Sequence, residues 1–87
     1  MTEISWFETN NQIFNLKTPI PITISEDEGY FYAENTEYGI LGLGNAEKEA
    51  VEDARANLGQ IYEWKFEKEL PLPFEIPEWI EKIDKLI

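Results

Sequence analysis

The feature that most constrains the fold of this chain is a glycine-rich apolar run followed at once by regularly spaced alanines. The run is Gly39-Ile-Leu-Gly-Leu-Gly44, and Asn45, a good N-cap residue for a helix, comes directly after it. Ala46, Ala50 and Ala54 then recur at the spacing of one helical face. Because glycine and alanine allow close approach between backbones, we predict a short strand, a glycine-bearing connection and a helix packed closely on a sheet.

Isoleucines at every second position predict another strand before this region. Ile20, Ile22 and Ile24 form one apolar face of that strand. Pro19 and Pro21 have no backbone N–H and cannot donate a hydrogen bond to a neighbouring strand. We therefore expect this strand at an edge of the sheet.

A predicted hairpin turn, Asp27-Glu-Gly29, separates this strand from the next one. Side chains alternate between the two faces of a strand. Phe31 and Ala33 are expected to face the helix and the core. Tyr30 and Tyr32 are then expected on the opposite face.

The first 17 residues are too apolar for a loose tail. Asn10-Asn11 could turn a hairpin between residues 4–8 and 13–17. This segment would then add two strands to the domain.

Gly59 leaves the end of the helix open between two alternatives. As a C′ glycine it would end the helix, and Tyr62, Trp64 and Phe66, which alternate with charged residues, would lie in a strand. Alternatively the helix continues through Gly59 at a cost of about 1 kcal/mol. The pattern alone leaves residues 60–69 as helix or strand.

Prolines shape the C-terminal part of the chain. Pro71 and Pro73 require an extended segment, and Pro77 is well placed to open a helix. The apolar stripe of this helix would contain Trp79, Ile80, Ile83, Leu86 and Ile87. A helix of about eleven residues is not stable alone, so it must dock on its own domain or on a partner.

The composition excludes several classes of chemistry. The 87 residues include neither cysteine nor histidine. Disulfides, thiolate metal sites and Ser-His-Asp or Cys-His catalysis are therefore excluded within this chain. An apolar fraction of 43% is sufficient for one packed domain, which we expect to span residues 1–87.

The chain is strongly acidic, with a formal net charge of −11. This charge disfavours direct nucleic-acid binding and would accelerate the encounter with a basic protein. The simpler alternative is an acidic surface that only keeps the protein in solution. No leader-like segment and no apolar run of about 20 residues occurs, so we expect a cytoplasmic protein without membrane contact.

Carboxylates near the predicted hairpin turn are the candidate metal ligands. Asp27 and Glu28, with Glu26, could bind a hard cation such as Mg²⁺, but an acidic turn is more often simply solvated. Glu26, Glu34 and Asp53 could contribute to a two-metal site, although no spacing supports one. We expect no catalytic residue, metal or cofactor; a metal-dependent hydrolase is the least favoured alternative.

Tyrosines and carboxylates around the second predicted strand are the candidate partner-binding residues. They are Tyr30, Tyr32, Glu34, Glu37 and Tyr38. Tyrosines beside carboxylates on a sheet face suit recognition of a basic protein. The alternative is that the tyrosines pack under the N-terminal hairpin or the C-terminal helix.

Eight positions between residues 39 and 58 fall without a gap into the pattern of one known family. The family shows a glycine, an apolar stretch, a second glycine, an Asp-Thr pair, then Glu-Glu-Ala and an Ala-Arg helix. The positions in register are Gly39, Gly44, Asn45, Ala46, Glu49, Ala50, Ala54 and Arg55. On these residues the segment resembles the HicB-like antitoxin domain.

Two flanking segments extend the resemblance to roughly residues 20–73. Asp27-Glu-Gly-Tyr30 is similar to the first hairpin of the family, and Glu69-Leu-Pro-Leu-Pro73 to its proline-bearing segment after the helix. Asn35 and Tyr38 replace prolines of the family before the first glycine. Ala46 stands where threonine is usual. The DNA-binding segment of longer members has no counterpart, which puts operator binding in doubt.

The resemblance implies a partial RNase H-like fold with a three- or four-stranded sheet and the helix on one face. It also implies that the domain binds a small basic toxin ribonuclease of the HicA type and covers its active site. Family members tend to associate through their sheets or C-terminal segments, which is compatible with a homodimer.

The sequence thus predicts an α+β fold. A three- to four-stranded, mainly antiparallel sheet in the order β-β-β-α would carry one main helix on one face, plus a short C-terminal helix. Residues 1–19 would be an extension or hairpin, residues 20–70 the HicB-like core, and residues 71–87 the proline-rich segment and last helix. The predicted function is antitoxin-type binding of a small basic protein. The alternative is an acidic, nucleic-acid-mimicking inhibitor of a nucleic-acid enzyme.

Overall fold

The computed structural model describes residues 2–9, 12–67 and 80–84, which form an α+β domain. The elements in chain order are β1 (Thr2–Thr9), β2 (Gln12–Asp27), β3 (Tyr30–Asn35), β4 (Ile40–Gly44), α1 (Glu47–Glu67) and β5 (Ile80–Asp84). The strands β1, β2, β3 and β4 are neighbours in that order, and every pairing is antiparallel. The predicted class, an antiparallel sheet with one main helix, is confirmed.

The long strand β2 organises the sheet. It pairs with β1 along one side, and Thr9 lies opposite Gln12, so the predicted N-terminal hairpin is present. On the other side, the first part of β2 pairs with β5 and the last part pairs with β3. Residues 10 and 11, predicted as its turn, lie outside the described residues.

The predicted edge position of the proline-bearing strand is wrong, because β2 has neighbours on both sides. The described ladder with β5 ends at Leu16 and the ladder with β3 begins at Thr23. Pro19 and Pro21 lie between these ladders. The carbonyl oxygen of Pro21 accepts a hydrogen bond from Asn35 Nδ2 at 2.8 Å. The backbone nitrogen and carbonyl of an extended residue point to the same side of the strand. The Pro21 nitrogen therefore faces the gap between the β5 and β3 ladders, where its missing N–H costs neither ladder a hydrogen bond.

The predicted C-terminal helix is wrong for residues 80–84, which form β5. These residues pair antiparallel with Gln12 to Leu16 of β2. The exposed backbone groups of that part of β2 find partners in β5, whereas a short isolated helix gains little stability. The remainder of the predicted segment, residues 71–79 and 85–87, lies outside the described residues.

The helix α1 continues through Gly59 to Glu67, which decides between the two alternatives. Gly59 is buried against strand β1. A Cβ atom built on Gly59 would lie 2.6 Å from the carbonyl oxygen of Glu8. The glycine therefore permits a close approach between α1 and β1 and does not end the helix.

The core lies between α1 and the inner face of the curled sheet. Its buried side chains are Ile4, Phe7, Phe14, Leu16, Ile20, Ile22, Ala33, Ile40, Ala50, Ala54 and Leu58. Among the described residues the buried set includes no polar or charged side chain. The strands β1 and β4, at the two ends of the β1-β2-β3-β4 order, both contact α1, so the helix occupies the concave side of the sheet.

The turn between β2 and β3 contains a strained residue that can be replaced. Glu28 and Gly29 have φ values of 52° and 85°, as in a two-residue type I′ turn, so the predicted hairpin is confirmed. Asparagine tolerates the left-handed conformation better than glutamate. We expect Glu28→Asn to raise the free energy of unfolding by about 0.5–1 kcal/mol in urea denaturation.

The matched control for this variant is Glu26→Asn, because it removes the same charge from a strand position of ordinary φ. A gain of equal size in both variants would assign the effect to charge and contradict the role of the turn.

Candidate functional site

The face of the sheet opposite α1 carries the candidate binding surface. We call it the outer face; it comprises Thr23, Ser25, Asp27, Tyr30, Tyr32, Glu34, Leu41 and Leu43. Cross-strand pairs define it: Tyr32 lies between Ser25 and Leu43, and Glu34 lies between Thr23 and Leu41. The residues between these positions, such as Ala33, face the helix.

The outer face exposes several large apolar side chains. Tyr30 is 57% exposed, Leu41 47% and Leu43 50%. Three of the five exposed large hydrophobic side chains among the described residues therefore lie on this face. Contiguous apolar surface of this kind marks interaction sites. Since α1 packs on the inner side only, the fold itself leaves this face uncovered by the helix.

Three predicted site residues, Tyr30, Tyr32 and Glu34, lie together on the outer face. Phe31 packs against the core and Ala33 is buried, as the alternation predicts. The N-terminal hairpin does not cover the tyrosines, because β1 and β2 belong to the same sheet.

Glu37 lies beside this surface in the turn after β3. Glu34 and Glu37 line one shallow cavity of about 300 Å³, together with Pro21, Thr23, Asn35 and Thr36. None of the described residues that line this cavity is basic. The two predicted carboxylates are therefore neighbours, and their negative potential adds at the edge of the outer face.

The structure does not place Tyr38 with the other predicted residues. Its side chain packs against the buried core, and its backbone N–H donates to Asn35 Oδ1 at 3.2 Å. Burial, with a smaller contribution from the Glu37 carboxylate, raises the pKa of Tyr38 above its ordinary value. Tyr38 therefore supports the turn and lies apart from the outer face, and its role in partner binding stays a prediction.

Sequence reasoning missed Leu41 and Leu43 as surface residues. The short run from Ile40 to Leu43 is apolar throughout and resembles a strand buried on both faces. The signal that could have found them is the single helix of the predicted fold. One helix covers one face of the sheet, so alternate residues of β4 must be exposed.

Among the described strands β4 lies at one end of the order, and side chains of α1 bond to its outer edge. Asp53 Oδ2 accepts a hydrogen bond from the backbone N–H of Leu43 at 3.0 Å. Asn57 Nδ2 donates to the backbone carbonyl of Leu41. These bonds use backbone groups that would otherwise pair with an added strand.

The candidate metal ligands do not converge. Glu26 pairs with Phe31 on the inner side of the strands, whereas Glu34 lies on the outer face. Asp53 instead bonds to the edge of β4. Within residues 2–9, 12–67 and 80–84 there is no group of three or more acidic side chains that could hold a metal ion. The same part of the chain includes no helix of sufficient length and apolar character to cross a membrane.

Fold and site together define an acidic α+β domain with an exposed aromatic and aliphatic sheet face. In comparisons with known proteins, no family model, no curated protein and no solved structure matches this chain.

Proposed function

We propose that this protein is an antitoxin-type binding module that sequesters a small basic toxin ribonuclease. The observation that carries the proposal is the outer face, on which Tyr30, Leu41 and Leu43 are about half exposed and the Glu34 carboxylate lies beside Leu41. Aromatic and aliphatic anchors with a charged rim are typical of protein-binding surfaces. The similarity of residues 39–58 to the HicB-like pattern supports the same function and, with it, a partial RNase H-like arrangement of the sheet and helix.

Charge supplies the first step of the proposed mechanism. The net charge of −11 attracts a basic protein over distances longer than a contact. Glu34 and Glu37, which line one cavity at the edge of the outer face, direct this attraction towards the apolar surface. The acidic field therefore increases the association rate and orients the encounter.

The outer face supplies the second step. Tyr30, Tyr32, Leu41 and Leu43 lose water when the partner docks, and this burial slows dissociation. A toxin ribonuclease held in this way is inhibited because the sheet blocks access of RNA to its active site. No catalytic group of this chain takes part, and none is needed for inhibition by occlusion.

Affinity capture from native extract tests the proposal. The tagged wild-type chain is expected to retain one small basic protein at low salt and to release it as the salt concentration rises. The double variant Tyr30→Thr/Tyr32→Thr should lose that protein. Trp6→Thr is the matched control, because Trp6 is exposed on β1, contacts Arg55 and lies apart from the outer face.

Three outcomes would count against the proposal. Capture of many nucleic-acid enzymes, displaced by DNA, would favour the nucleic-acid-mimicking inhibitor instead. Equal loss of the partner in the Trp6 control would assign binding to another surface. Retention of the partner by the tyrosine variant would exclude the outer face.

Reversal of two charges should slow the association measurably. We expect Glu34→Lys/Glu37→Lys to reduce the association rate with the captured protein by about tenfold or more at low salt and to flatten its salt dependence. Stopped-flow or surface-based kinetics over a range of salt concentrations measures both quantities.

The matched control is Glu47→Lys/Glu52→Lys, which makes the same change in net charge. These two residues line a separate cavity along α1 with Lys48, Val51 and Arg55. If both double variants slow association equally, total charge and not its position determines the rate.

A further inference from the structure

A groove between β4 and the C-terminal half of α1 adjoins the outer face. We call it the β4–α1 groove; its main lining residues are Leu41, Leu43, Asp53, Asn57, Ile61 and Trp64. It encloses about 320 Å³, and Trp64 is 38% exposed. Leu41 and Leu43 belong to both surfaces, so the apolar area continues from the outer face over the edge of the sheet to the helix.

The backbone at the bottom of the groove is already hydrogen-bonded. Asp53 accepts from the Leu43 N–H, and Asn57 donates to the Leu41 carbonyl. An incoming strand would have to displace both side chains before it could extend the sheet. The groove is therefore suited to an occupant that inserts side chains, and not to one that adds a strand.

The charge of the groove determines which charged residues can flank the inserted side chains of the occupant. Among the described residues that line the groove, Asp53 carries the charge, and Glu34 lies next to Leu41 in the neighbouring strand. A segment with acidic flanks would be repelled, and in a chain of net charge −11 this includes most of a second copy. Lysine or arginine on the flanks would be attracted.

We infer that the β4–α1 groove receives an amphipathic segment of the basic partner, which inserts large apolar side chains against Trp64, Leu41 and Leu43 and directs lysine or arginine towards Asp53 and Glu34. This inference rests on the proposed function and specifies how the partner is held. The interface then covers two surfaces that meet at β4.

A defined peptide tests the groove directly. The probe is a synthetic amphipathic peptide with leucine on one face and lysine on the other, titrated into the ¹⁵N-labelled full chain. We expect the largest NMR shifts at the amides of Gly39, Leu41 and Leu43, the side-chain amide of Asn57 and the indole N–H of Trp64. An analogue with glutamate in place of lysine should bind at least tenfold more weakly.

Substitutions at Gln60, an exposed helix residue that lines the groove, test it without disturbing the core. Gln60→Lys should weaken binding of the lysine peptide several-fold, and Gln60→Glu should strengthen it. Ala56→Lys and Ala56→Glu are the matched controls, because Ala56 is exposed on α1 beside Trp6 and away from the groove. They should change the affinity by less than half as much.

The outcomes separate this inference from the proposed function. NMR shifts confined to Tyr30, Tyr32 and Glu34 would contradict binding in the β4–α1 groove and leave the outer face as the binding surface. Equal changes of peptide affinity at Gln60 and Ala56 would have the same meaning. Absence of peptide binding would also contradict the inference that the β4–α1 groove is a binding site. Failure of the capture experiment, in contrast, would overturn the proposed function itself.

Discussion

Replacing Gly42 with alanine is expected to lower the free energy of unfolding by about 3 kcal/mol. A Cβ atom on Gly42 would overlap the carbonyl oxygen of Ala50 and the backbone nitrogen of Ala54, and would lie 2.8 Å from the Ala54 Cα atom. These are backbone atoms of α1, which cannot rotate away as a side chain can. The helix must therefore move off the sheet to admit one methyl group.

Thermal unfolding followed by circular dichroism measures this effect. A loss of about 3 kcal/mol corresponds to a decrease in Tm of roughly 12–24 °C for a domain of this size. Gly39→Ala is the matched control. Gly39 has a φ of 67° but no atom within 4 Å of an added Cβ, so its cost of about 1–2 kcal/mol comes from the backbone conformation alone. A smaller loss at Gly42 than at Gly39 would contradict the close packing between helix and sheet.

Replacing Phe7 with alanine is expected to destabilise the protein still further, by about 3–5 kcal/mol. Phe7 is fully buried and stacks on Phe14 with ring centroids 5.1 Å apart. The ring of Tyr62 lies 5.3 Å from that of Phe7 and 4.6 Å from that of Phe14. This cluster joins the N-terminal hairpin to the second half of α1, so the cavity left by alanine weakens both.

Urea denaturation of Phe7→Ala and Phe7→Leu measures this contribution. Leucine preserves most of the apolar volume, and we expect it to cost less than about 1.5 kcal/mol. Trp6→Ala serves as the exposed control in the same strand. If Phe7→Ala costs no more than Trp6→Ala, the N-terminal hairpin is not part of the core.

The elements that sequence reasoning predicted correctly depend on neighbours in the chain. The alanine spacing from Ala46 to Ala54 identifies the buried face of the helix. The segment Asp27-Glu-Gly29 identifies a hairpin, and its turn residues Glu28 and Gly29 have positive φ. Alternation also places Tyr30 and Tyr32 opposite Ala33. Each of these signals is contained within about ten residues, where propensity and periodicity are informative.

The elements that it missed or left open depend on contacts between distant residues. Residues 80–84 pair with β2, and that pairing outweighs their helical periodicity. Gly59 stands within the helix because the carbonyl oxygen of Glu8, which is far away in the sequence, leaves no room for a Cβ atom there. The prolines of β2 are tolerated in a central strand because two ladders leave a gap around them. Local patterns give no information on any of these contacts.

The residues of the candidate site also divide into those that the local pattern predicts and those that depend on distant contacts. The alternation of side chains along a strand is sufficient to group Tyr30, Tyr32 and Glu34 on one face. Tyr38, in contrast, follows β3 in a turn, and its side chain packs against the core. Leu41 and Leu43 become surface residues only when the position of the single helix is known. The apolar part of the site is therefore a property of the assembled sheet.

Inhibition of the captured basic protein tests the central claim most directly. RNA cleavage by that protein would be measured while the chain is added, with Tyr30→Thr/Tyr32→Thr as the defective variant and Trp6→Thr as the control. We predict that the wild type and the Trp6 variant stop cleavage at one equivalent and that the tyrosine variant does not. Cleavage that continues with saturating wild-type chain bound, or a captured protein without activity on RNA, would contradict the account.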